Sequence, residues 1–156
     1  MRRCFLLLLL CVGFSALRAE DKPVWTKDFV LKSIADFRED PMSDRGLAAR
    51  YVITNFSQDS PDIRIVINDK NYPIEEPTKA SKEEILTLLA AFIAGNVESQ
   101  LLRGLKKQDD AYAGDLQMIR TYRQLQDKNR KLKIPGMEKM AELEKRGELK
   151  RYLSSK

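Results

Sequence analysis

Histidine is absent from all 156 residues, and the two cysteines, Cys4 and Cys11, stand among the first eleven. The sequence has no glycine-rich phosphate loop, and its seven glycines are scattered. Each gap excludes chemistry. Without histidine there is no Ser-His-Asp or Cys-His catalysis, no zinc site of the usual ligand set and no haem ligation by imidazole.

The cysteines lie inside a segment with its own meaning. Arg2 and Arg3 are followed by an apolar run from Phe5 to Phe14, then Ser15, Ala16, Leu17, Arg18 and Ala19, then Glu20 and Asp21. That is the order of a secretory signal peptide, and the run is shorter than the roughly 20 apolar residues a bilayer span needs. Residues 1–19 are expected to be a signal peptide cleaved after Ala19. The product is exported, to the periplasm or the extracellular space, and has a cysteine-free mature chain. With no disulfide available, such a chain has to be held by its core, which favours a bacterial envelope over an animal secretory pathway.

Strong positive charge is also missing once the signal is set aside. Lys+Arg falls from 28 to 25 while Asp+Glu stays at 23, so the net charge drops from +5 to +2. This argues against nucleic acid as a partner. The remaining charge is uneven. Residues 120–156 carry 12 basic and 5 acidic residues (+7), and residues 20–119 carry 13 and 18 (−5).

What is present is mostly helical periodicity. Trp25, Phe29, Ile34 and Phe37 recur at helical spacing behind Thr26 as a cap, and Pro41 ends that segment. Ser43 opens a second helix with Leu47, Ala48, Tyr51, Val52 and Phe56 on one face. Ser81-Lys82-Glu83-Glu84 is a capping box that opens a third. Asp109 and Asp110 open a fourth, which Pro135-Gly136 is expected to stop, and a last helix runs from Met137 with an interruption at Gly147. The stretch SPDIRIVINDKNYPI differs: Ile63, Ile65 and Ile67 alternate, and turn residues bound it. The expected fold is mainly α, with helical hairpins packed in one domain, residues 20–156, and one short β-strand or hairpin at about residues 62–74.

The third helix poses a question. Ile85, Leu88, Leu89, Phe92 and Ile93 make an ordinary buried face. Beyond Gly95 the same sector is held by Asn96, Ser99, Gln100 and Arg103. Either the helix ends at Gly95 and Asn96 caps a new one, or one helix continues and carries a polar stripe. The spacing leans to the continuous helix, because an interior glycine costs only about 1 kcal/mol. The stripe then needs acids such as Asp109, Asp110 or Asp115 as partners, and a structural network is the favoured use of it.

Among candidate sites, Arg120, Arg123, Lys128, Arg130, Lys131 and Lys133 form a basic group that could bind a polyanion. The carboxylate pairs Asp59/Asp62, Glu75/Glu76 and Asp109/Asp110 could in principle supply an acid and a base, but each also reads as a turn, a loop or a helix start. Asn68, Asp69 and Asn71 lack the glycine and distal glutamate of an EF-hand loop and read as a turn.

The stretch LLAAFIAGNVESQLLRG resembles the turn of a tetratricopeptide repeat, in which a Gly-Asx pair joins two helices. Gln100 and Lys107 stand where that motif wants small residues, and no second copy follows. The larger pattern, DFREDPMSDRGLAARYVITNF through YAGDLQMIRTYRQL, looks like a group of small exported bacterial proteins without an assigned function, and it transfers no binding or catalytic residue.

These readings converge on an exported, non-enzymatic interaction or scaffold protein of the cell envelope. It is expected to need no cofactor or metal and to act through a protein partner or self-association. The alternative is binding of an anionic lipid or cell-wall polymer through the basic C-terminal third. A carboxylate-dependent hydrolase ranks third.

Overall fold

The computed structural model describes residues 24–75 and 78–155. The expected signal peptide, its cleavage position, both cysteines and Glu76 lie outside the described residues. Six helices make up most of what is described: α1 (Lys27–Glu39), α2 (Asp44–Asp59), α3 (Lys82–Arg103), α4 (Ala111–Lys128), α5 (Pro135–Lys145) and α6 (Leu149–Ser154).

The helix starts follow from local chemistry. The Thr26 hydroxyl accepts from the Phe29 amide, the Ser43 hydroxyl from Gly46, and Ser81 exchanges both bonds of a capping box with Glu84. The α4 start is capped by Asp110, whose carboxylate accepts from the Ala113 amide at 3.2 Å. One expectation fails here. Pro135 does not stop α4, which ends earlier at Lys128; Pro135 instead occupies the first turn of α5, where its missing N–H costs nothing.

The centre of the fold is the pair α3 and α4. The α1–α2 hairpin packs on α3, and α5 and α6 pack on α4. Val30, Ile34, Phe37, Ile53, Leu88, Phe92, Val97, Met118, Ile119 and Tyr122 are buried in one cluster. By length and composition alone α3 could cross a bilayer, but 56% of its apolar window is buried against the other helices. Its apolarity is that of a central core helix.

Helix α3 runs through Gly95 without a break. The glycine is there for close approach: a Cβ on Gly95 would lie 2.3 Å from the Ala113 carbonyl oxygen of α4. Gly114 does the reverse, since a Cβ there would lie 2.7 Å from the Phe92 ring. Two glycines at one crossing bring the backbones of α3 and α4 together. The helix-turn-helix break implied by the tetratricopeptide resemblance is therefore not found.

The expected strand or hairpin at residues 62–74 is not found either. No strand occurs among the described residues. Residues 63–67 form no helix, strand or turn, no strand pairs with them among the described residues, and side chains of α3 and of the α3–α4 turn bond their backbone instead. The hairpin's second half is a turn, in which the Asn68 carboxamide oxygen accepts from Lys70 and Asn71 and the Asn71 amide group donates to the Val66 carbonyl at 2.7 Å. Asn68 and Asn71 thus serve this turn, and no group of potential metal ligands gathers among the described residues.

Candidate functional site

The polar stripe of α3 is drawn into a single network. Asn96 and Gln100 are buried to within about 1% of full exclusion from solvent. The Gln100 carboxamide grips the extended segment at one residue: its oxygen accepts from the Arg64 amide at 3.2 Å, and its nitrogen donates to the Arg64 carbonyl at 2.8 Å. The same nitrogen donates to the Asn96 carboxamide oxygen at 2.6 Å. Asn96 in turn donates to an Asp109 oxygen at 2.7 Å, and that oxygen also accepts from the Val66 amide at 2.9 Å. The Asp110 amide donates to Asn96 at 3.0 Å, completing its oxygen.

The outer half of the stripe meets Asp110. The Ser99 hydroxyl donates to Asp110 at 2.5 Å and the Arg103 guanidinium at 2.9 Å. The four stripe residues therefore tie together the end of α3, the turn into α4 and the segment 62–67. Buried donors and acceptors left without partners would cost about 1–3 kcal/mol each, so this satisfaction is what allows a polar face inside the core. Asp109 and Asp110 are two of the three acids the sequence offered as partners.

The third acid behaves differently. Asp115 is fully buried on α4, and neither of its carboxylate oxygens has a hydrogen-bond partner among the described residues. Burial, and after it the nearby Asp109 charge, push its carboxyl up to about 8. It is therefore a neutral acid at neutral pH. No spacing signal marks it out, because it sits one residue from Gly114 in an ordinary amphipathic repeat.

Of the six candidate cations, Arg120 and Arg123 line one concavity of about 410 Å³ on α4. Arg123 bonds Glu144 at 2.9 Å, and Lys128 bonds Asp40 at 2.7 Å. Arg120, Arg130, Lys131 and Lys133 are exposed and form no ion pair among the described residues. Arg120 lines a groove of about 390 Å³ between α3 and α4, together with Arg38, Glu98, Leu102 and Arg103. Lys133 lines a separate concavity of about 600 Å³ at the start of α5, with Pro73, Glu75, Lys79, Pro135 and Lys139. Lys79 joins Lys133 and Lys139 from a distant part of the chain, which no sequence spacing could reveal. No side-chain cap closes the α5 N-terminus beside them.

Three carboxylates of the candidate pairs have structural partners. Asp109 and Asp110 hold the network and the α4 cap, and Asp62 pairs with Lys106 at 3.2 Å. Comparison with known proteins adds no identity: no family model, curated protein or solved structure matches the chain.

Proposed function

We propose that this protein is a non-enzymatic interaction or scaffold module of the cell envelope, reached by export after removal of residues 1–19. The observation that carries this reading is the fate of the polar stripe. Asn96, Ser99, Gln100 and Arg103, the most site-like residues of the sequence, all spend their hydrogen bonds on the fold itself. They brace a surface segment against the core, which is what a module that presents a docking surface requires. The test is co-purification of the mature protein from native envelope, eluted in a salt gradient, with partners identified by mass spectrometry. A defined protein in stoichiometric amount is the expected result. A strictly monomeric protein with no reproducible partner contradicts the reading.

A second reading rests on the concavity beside α5. Lys79, Lys133 and Lys139 face one carboxylate there, Glu75, so the described lining is net positive. It fits binding of an anionic lipid headgroup or cell-wall polymer. Sedimentation with phosphatidylglycerol vesicles should then carry the protein down at low salt and release it at high salt, because exposed charges are screened within about 10 Å at 0.1 M. Lys133→Glu combined with Lys139→Glu should abolish that binding. Salt-independent binding, or none, removes this reading.

A further inference from the structure

The segment Ile63–Ile67 has two edges, and among the described residues only one is occupied. In extended backbone, successive residues point their N–H and C=O groups to opposite edges. Arg64 gives both its groups to Gln100, and Val66 gives its N–H to Asp109 and its C=O to Asn71. These even-numbered residues face the helices. The odd-numbered residues face away: neither backbone group of Ile65 or Ile67, nor the Ile63 carbonyl, has a hydrogen-bond partner among the described residues. The side chains of Gln100, Asp109 and Asn71 thus act in place of a neighbouring strand on one edge, and the other is open among the described residues.

The open edge carries few of the devices by which proteins protect such edges. Pro61 lies outside it, and Ile65 and Ile67 are uncharged and β-branched. The side chains of Ile63 and Ile65 pack against the core, while those of Arg64, Val66 and Ile67 are exposed. Asp62 is paired with Lys106, and Arg64 forms no ion pair among the described residues, so the uncompensated charge of residues 62–67 is positive there.

We infer that the outer edge of Ile63–Ile67 is a docking site for an extended segment of a partner protein, which adds to it as a strand and alternates apolar with acidic residues. This rests on the interaction-module reading and names its surface. The hydrogen bonds come from Ile63, Ile65 and Ile67. A carboxylate opposite Arg64 supplies the cross-strand pair, and apolar residues extend the layer formed by Ile63 and Ile65. A second copy of this chain fits less well. Two-fold antiparallel pairing about Ile65 sets Arg64 opposite Val66 of the other copy, which makes the two unpaired guanidiniums diagonal neighbours on one face.

The test uses an acetylated peptide of alternating valine and glutamate with the mature protein. Binding is followed by fluorescence anisotropy and by amide hydrogen exchange. The expected result is slowed exchange at Ile65 and Ile67, with Arg64 and Val66 already protected in the free protein. Ile67→Pro removes an outward donor without touching the inner edge and should weaken binding roughly tenfold or more, whereas Ile67→Ala should change it little. Circular dichroism checks that Ile67→Pro keeps its helices. A peptide N-methylated along its pairing edge makes the same test on the unaltered protein and should not bind. Absence of protection at Ile65 and Ile67, or equal binding by Ile67→Pro and Ile67→Ala, overturns the proposal. So does a wild-type dimer that Ile67→Pro converts to monomer, since the occupant is then a second copy. Capture of the same envelope partner by wild type and Ile67→Pro overturns the docking edge while leaving the module reading intact.

Discussion

Asn96 and Asp115 are both buried polar residues at the α3–α4 crossing, and the chain treats them in opposite ways. Asn96 has every carboxamide group engaged, with Gln100, Asp109 and the Asp110 amide as partners. Asp115 has none among the described residues. Geometry supplies the difference. The stripe on α3 faces a turn and an extended segment, whose backbone groups need partners of their own. Asp115 lies within a helix whose backbone is already bonded to itself. A buried amide can thus contribute to stability where irregular backbone meets it, whereas a buried acid against regular helix is tolerated only by staying protonated.

The largest expected effect breaks that contrast at Asp115. The unfolded carboxyl titrates near 3.8 and the folded one at about 8. Between those values the folded state holds one proton more than the unfolded state. The stability tied to this proton is full below about pH 4, falls as pH rises and levels off above about pH 8, by up to about 1.4 kcal/mol per pH unit. Asp115→Asn has no proton to lose, so urea unfolding should show a flatter pH profile and a more stable variant than wild type at pH 8. Parallel profiles for the two proteins would show that Asp115 is charged and partnered.

A smaller effect sharpens the contrast from the other side. Gln100→Leu keeps the volume but leaves the Arg64 backbone pair and one Asn96 lone pair without their partner. It should cost about 2–3 kcal/mol in chemical denaturation, and the Arg64 amide should lose its protection from exchange. A cost below about 0.5 kcal/mol, with Arg64 still protected, would mean that water replaces Gln100 at no loss.

Much of the helical frame was readable because its signals are local. Thr26, Ser43, Ser81 and Asp110 cap by hydrogen bonds to residues three positions on, so a short window contains all that is needed. Gly95 shows the limit. Its reason is the Ala113 carbonyl of another helix, and a one-dimensional pattern could not separate a break from a close approach. The segment DIRIVIND carried a strand signal, yet a strand needs a partner, and here side chains of α3 and of the turn before α4 take that place. The basic group was adjacent in sequence, but the sequence did not show that Arg123 and Lys128 turn to acids on α5 and after α1.

The smallest effect lies inside the stripe. Arg103 shares Asp110 with Ser99, and at 2.9 Å its bond is geometrically sound. Its side chain is nevertheless 63% exposed, so water solvates the guanidinium on most sides and screens its attraction. Exposed pairs contribute between about 0 and 1 kcal/mol, and Asp110 keeps both its Ser99 partner and its role as the α4 cap when Arg103 is removed. Arg103→Ala should therefore cost less than about 0.5 kcal/mol and lose even that at high salt. Measured beside Gln100→Leu, it separates position on the stripe from burial. Equal costs for the two would mean that the stripe acts as one cooperative unit, in which the exposed end matters as much as the buried one.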